Sequence, residues 1–273
     1  MDYTKRWVKV TSWVLTVLVA LFFLQDAYNM ATRSETATKN IADGFGFPHS
    51  LMTAVAIACF ASLVLYLLPW TQRVGLVALT AYLGGAAAMN LLFNPDVGTS
   101  LFGFTFTVAV GVITWAPLWM RDPWVRGLFG HPQAHVTSRR SRVAGRVLTA
   151  LFAAFFLFDI VIHVASEKHA VASANAMGMD PSWLPVIGAI EAVCVLLYLT
   201  SRTSRLGVVL MSAYLGGASA VNLLQEQTAF SVVFAPLVAL ALWGVLALRD
   251  RWVIEALPTP RPSAPTTTDG AQA

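Results

Sequence analysis

The sequence predicts an all-α integral membrane protein, with eight transmembrane helices arranged as two homologous four-helix bundles in parallel orientation. Three observations predict it. Of 273 residues, 57% are hydrophobic and 12% are charged, about half the charged share of an average soluble domain. Apolar runs of about 20 residues, the length that crosses a bilayer, recur along most of the chain. Finally, "TAYLGGAAAMNLL", beginning at Thr80, returns as "SAYLGGASAVNLL", beginning at Ser212.

The eight runs fall at 10–28, 49–69, 74–93, 101–120, 144–164, 182–200, 205–224 and 229–248. At 1.5 Å per residue each is about 30 Å long. The breaks between them carry loop chemistry: Pro69 before Thr71-Gln72-Arg73, then Asn94-Pro95-Asp96 and Arg121-Asp122-Pro123. The first run follows Lys5, Arg6 and Lys9 and has the outline of a cleavable leader. It is read as a true span, because "VLTVLVALFFLQD" (14–26) matches the internal "VLTALFAAFFLFD" (147–159) at 9 of 13 positions. The third and seventh runs match at 12 of 19 positions between Val74–Leu92 and Leu206–Leu224. Shared apolar composition does not place Tyr, Gly-Gly, Asn and Asp in register, so the chain reads as a tandem duplication. Each unit crosses an even number of times, which gives both copies one topology.

The expected organisation is a first four-helix repeat over 1–130, a basic cytoplasmic linker over 131–146, a second repeat over 147–257, and a disordered Pro/Thr-rich tail over 258–273. Fifteen of the eighteen Lys and Arg residues fall on one side of this topology. Arg33, Lys39 and Lys168 fall on the other. The bias predicts a multi-pass protein of the inner (plasma) membrane with both termini cytoplasmic. The net charge of +4 is explained by that topology, so nucleic acid is not an expected partner and the lipid bilayer is.

Cys59 and Cys194 lie in apolar runs with no C-x-x-C spacing and no histidine at ligand spacing. They read as small buried hydrophobes, and no metal site is expected. G-x-S-x-G, H-E-x-x-H and Walker-type loops do not occur, so hydrolase and P-loop chemistry are unsupported and no catalytic residue is assigned. The tryptophans Trp115, Trp119, Trp124, Trp183, Trp243 and Trp252 fit an aromatic belt at the membrane interfaces.

The second half runs from "FFLFDIVIH" through "MGMDPSWLPVIGAIEAVCVLLYL" and "SAYLGGASAVNLL" to "LWGVLALRD". Those motifs, in that order, resemble the DoxX-like family of small four-helix membrane proteins, and the first half looks like a weaker copy. Where members often carry histidine after the Gly-Gly-Ala run, this chain has Asn90 and Asn222. Where the second half has His163 and Glu191, the first has Met30 and Cys59. The resemblance implies an accessory subunit of a membrane redox system, with a quinone as the implied ligand and a redox subunit as the implied partner. A small-molecule or proton-coupled transporter, and a structural or assembly factor for a membrane complex, are the two rival readings.

Ionisable groups at membrane depth cost several kcal/mol and mark sites of interest. Asp159, His163, Glu191, Tyr214 and Asn222 are expected to line one polar pocket in the outer leaflet of the second half. Asp159 and His163 are four apart and share a helix face, and His163 is read as a relay for protons. Gly84, Gly85, Gly216 and Gly217 are read as packing residues. With Thr80 and Ala88, or Ser212 and Ala220, they form small-residue grooves where another backbone can approach.

Overall fold

An apolar helix in lipid must satisfy its backbone internally and bury its few polar groups against neighbours. In the computed structural model the spans are helical, and most of the polar groups they bury find partners. The structure describes residues 6–39, 44–93, 97–130, 138–224 and 228–255, and among these it contains helices and no strands. Eight helices are long and apolar enough to cross a membrane. They are α1 (Arg6–Thr32), α2 (Met52–Leu67), α3 (Gln72–Phe93), α4 (Val97–Arg121), α5 (Arg139–Val164), α6 (Leu184–Leu199), α7 (Ser204–Leu224) and α8 (Ala229–Ala247).

The ends of these helices follow local chemistry. Ser138 caps α5 by accepting from the Ser141 N–H, and Thr228 caps α8 by accepting from the Ser231 N–H. Pro185 sits in the first turn of α6, where its missing N–H costs nothing. Helix α5 begins at Arg139, inside the segment 131–146 expected as a linker. The rest of that linker, 131–137, and the expected tail, 258–273, lie outside the described residues. Helices α4 and α8 continue through Pro117 and Pro236.

In the first bundle α1 packs on α2, α2 on α3, α3 on α4, and α4 closes back on α1. The second repeats the pattern with α5, α6, α7 and α8, except that α8 meets α5 over a much smaller seam than α4 shares with α1. Helices α3 and α7 form the most extensive pairing in the molecule and join the bundles. Their glycines explain the close approach. A Cβ on Gly84 would lie 1.9 Å from the Ala213 carbonyl oxygen, and one on Gly216 would lie 2.1 Å from that of Ala81. Gly85 and Gly217 face the methyl groups of Ala220 and Ala88, at 3.1 Å each by the same measure. Thr80 and Ser212, expected in the same grooves, turn the other way. Their hydroxyls accept from the indole N–H groups of Trp115 and Trp243, at 3.0 and 2.9 Å.

The arginine-rich end carries a second joint between the bundles. Trp124 and Trp252 stack at 4.2 Å, with planes 4° apart. Each indole N–H donates to the other residue's carbonyl oxygen, at 2.7 and 2.8 Å. The expectation of an interfacial belt therefore fails for these two, which are each 4% exposed. Each indole finds its acceptor on the opposite bundle, so burial leaves no polar atom stranded. Beside them Arg73 forms a two-pronged ion pair with Asp122, and Arg205 forms one with Asp250. Each arginine also reaches across: Arg73 Nη1 donates to the Glu255 carbonyl and Arg205 Nη1 to that of Gly127.

Candidate functional site

At the opposite end of the second bundle, three helices bring ionisable side chains together. Helix α5 supplies Asp159 and His163 one turn apart, α6 supplies Glu191, and α7 supplies Tyr214. Glu191 is wholly buried, at 0% exposure, whereas the Asp159 side chain is 39% exposed. The Tyr214 hydroxyl donates to Glu191 Oε2 at 2.9 Å. His163 Nδ1 stands between the acids, 3.7 Å from Asp159 Oδ2 and 3.6 Å from Glu191 Oε2. Both distances exceed a direct hydrogen bond, so the sharing of a helix face by Asp159 and His163 does not yield one. One ligand atom from each of Asp159, His163 and Glu191 lies within 4.8 Å of the others.

Gly188, one turn before Glu191, makes this proximity possible. A Cβ there would fall 3.0 Å from His163 Cβ and 2.8 Å from a Val164 methyl carbon. The corresponding residue in the first bundle is Ala56. In the sequence Gly188 stands inside the quoted motif, which does not by itself show this role. The signal available was the Gly/Ala difference at a matched position beside the Glu/Cys difference.

The first bundle arranges its counterparts differently. The Tyr82 hydroxyl donates to Asp26 Oδ2 at 2.6 Å, so the tyrosine serves the α1 acid. In the second bundle it serves the α6 acid. The Cys59 thiol reaches the Phe23 carbonyl at 3.6 Å and Asp26 Oδ2 at 3.9 Å. Both cysteines are buried free thiols.

Asn222 is engaged elsewhere: its amide donates to the Ser231 carbonyl on α8 at 3.3 Å. Asn90 donates to the Ala86 carbonyl within α3 at 2.9 Å. Asp159, His163, Glu191 and Tyr214 are thus gathered in one cluster, with Asn222 tied to the α7–α8 seam.

Next to the cluster in sequence, but outside the apolar span, Glu167 caps the short helix Lys168–Ala176 by accepting from the His169 N–H. Its other oxygen lies 3.0 Å from His169 Nδ1. The hydrogen bonds from the His169 ring and backbone hold the Glu167 carboxyl below its ordinary range.

Eight apolar helices, a duplicated four-helix unit and ionisable groups gathered at one end of the second copy define a multi-pass helical membrane protein. The DoxX-like family matches residues 14–117 and again 147–245. The chain belongs to that family and carries its unit twice. Neither a curated protein nor a solved structure matches it.

Proposed function

We propose that this protein is an accessory subunit of a quinone-linked redox system in the plasma membrane, with both termini cytoplasmic and the two bundles in the same orientation. The observation that carries the reading is the step in exposure across the cluster, from the partly exposed Asp159 through His163 to the buried Glu191 and Tyr214. The arginine bias supports the orientation, and the matched contacts of α3 with α7 and of Trp124 with Trp252 support a common direction.

The residues present fit a quinone headgroup. The His163 Nδ1 atom is buried without a hydrogen-bond partner and can hold a ring oxygen. Exposed Leu157, Phe158 and Val161 give a lipid-facing apolar wall on the same helix. A quinone held there would supply two-electron, two-proton chemistry, with a redox partner subunit as the electron source. Asp159 faces the surroundings and collects protons. His163, between the two carboxylates, passes them inward. Glu191, held by the Tyr214 hydroxyl, stores a proton where an unpaired carboxylate would be costly.

Purification in mild detergent with assay of co-extracted quinone tests this. The wild-type chain retains quinone. His163→Ala, which removes the group that holds the ring oxygen, lowers the retained amount about tenfold. No quinone in the wild type, or quinone retained undiminished by His163→Ala, ends the proposal.

A further inference from the structure

Two carboxylates facing one another at membrane depth need their charge neutralised, by protons or by a cation. We infer that Asp159, His163 and Glu191 form a binding site for a divalent transition-metal cation of the zinc type. The arrangement supplies one imidazole nitrogen and two carboxylates from two helices, with one ligand atom of each within 4.8 Å of the others. His163 Nδ1 and Glu191 Oε1 are both buried without a hydrogen-bond partner, and the Glu191 side chain is 0% exposed. Buried polar atoms left in this state carry a cost, which an ion bound to His163 Nδ1 and chelated by both oxygens of Glu191 removes.

The spacing fits an ion better than it fits hydrogen bonds. A zinc ion bound at about 2.0–2.2 Å in a tetrahedron spaces its ligand atoms roughly 3.3–3.6 Å apart. His163 Nδ1 lies 3.6 Å from Glu191 Oε2 and 3.7 Å from Asp159 Oδ2. The partly exposed Asp159 carboxyl has the freedom to close the remaining gap, and it provides the way in. Two carboxylates and a neutral imidazole sum to the charge that a divalent ion cancels. Magnesium and calcium prefer all-oxygen sets, whereas a mixed nitrogen and oxygen set suits zinc. Tyr214, donating to Glu191 Oε2, is the kind of outer partner that orients a carboxylate ligand. The first bundle offers only one carboxylate at the matched positions Asp26, Met30 and Cys59, and Asp26 is already held by Tyr82.

The ion and a quinone oxygen would compete for His163 Nδ1, and the inference does not rest on the quinone reading, since a chain that holds zinc and no quinone satisfies it. The test uses the full chain in detergent, stripped with a chelator, equilibrated with zinc, passed through gel filtration and analysed for metal by mass spectrometry. Wild type and Asp26→Asn hold one zinc per chain. Glu191→Gln and His163→Ala weaken calorimetric zinc binding roughly tenfold or more, and Tyr214→Phe roughly tenfold. Cobalt in place of zinc gives visible absorption bands that His163→Ala removes. Should Glu191→Gln misfold, Asp159→Asn, altered at a partly exposed side chain, gives the same reading. The inference is overturned if the wild type holds no zinc, if folded His163→Ala and Asp159→Asn bind it as wild type does, or if Asp26→Asn loses it equally.

Discussion

The two bundles share most of their scaffold contacts, the wide α1–α4 seam and its narrow α5–α8 counterpart excepted, and they differ in their polar ends. At the arginine-rich end the same bonds occur twice: Arg73 to Asp122 and Arg205 to Asp250, the Tyr66 hydroxyl to the Thr114 carbonyl and the Tyr198 hydroxyl to that of Leu242, and the paired indoles of Trp124 and Trp252. At the other end Tyr82 binds an acid on α1 while Tyr214 binds one on α6. A difference of three small positions, Ala56 against Gly188, Cys59 against Glu191 and Met30 against His163, turns a single-acid contact into a two-acid cluster. One end of the fold therefore repeats its main polar contacts in both copies, and the other is where those contacts differ.

The duplicated ion pairs provide the sharpest way to break that equivalence. Arg205 and Asp250 have side chains 5% and 2% exposed, whereas Arg73 and Asp122 are 33% and 10% exposed. Removing one partner of a buried pair strands the other, at about 3–5 kcal/mol. Asp250→Asn is expected to cost that much in denaturant unfolding of the purified protein. Asp122→Asn is expected to cost about 1.5–3 kcal/mol, the range for a hydrogen bond to a charged group. Both carboxylates also cap the following turn, accepting from Trp252 N–H and Trp124 N–H, so that contribution cancels between the variants. Equal losses would show that the difference in burial carries no energetic weight.

The seam between α3 and α7 gives the next effect. At Gly84 and Gly216 an added methyl meets backbone oxygen at 1.9 and 2.1 Å, and backbone can move only with its helix. Gly84→Ala and Gly216→Ala are each expected to cost toward the upper end of the about 1–3 kcal/mol range for overpacking. Gly85→Ala and Gly217→Ala, which meet side-chain methyl carbons at 3.1 Å, should cost less. Thermal unfolding of the four variants in one detergent checks the order. If the four lie together, close approach of α3 to α7 does not limit stability.

Much of this was legible in the sequence. Apolar length gave the eight spans, and Tyr, Gly-Gly and Asn in register gave the duplication. Four of the five residues expected in the polar pocket do converge, because topology alone puts the end of α5 beside the start of α6. What escaped depends on helix rotation and on neighbours. An indole reads the same in sequence whether it faces an interface or stacks on its counterpart, so Trp124 and Trp252 cannot be told from belt residues there. Tyr82 and Tyr214 occupy identical motifs, and only the surrounding side chains decide which acid each one serves. The metal-like spacing was hidden because Glu191 lies on a different helix from Asp159 and His163, beyond the reach of any local motif.

The smallest expected effect separates the two bundles at their polar ends, outside the apolar spans. In the second, Glu167 starts the nine-residue helix Lys168–Ala176, whose Ala174 packs with Met179 and Leu184 near Leu92 and Phe93 of α3. In the first, Ser34 caps a three-residue turn, Glu35–Ala37. A serine hydroxyl does not titrate, whereas the Glu167 cap is strongest as a carboxylate, the better acceptor for the His169 N–H. Its folded value lies below the ordinary glutamate value of 4.5, so the cap is complete above that pH and weakens as pH falls through the lower, folded value. Glu167→Gln should raise amide exchange at His169 and Ala170 a few-fold at neutral pH. Acidifying the wild type should lower the protection of the same two amides, measured against the intrinsic exchange rate at each pH, with no matching change at Ala37. Exchange at His169 that ignores both the substitution and the acid would show that packing on α3, and not the cap, holds this helix.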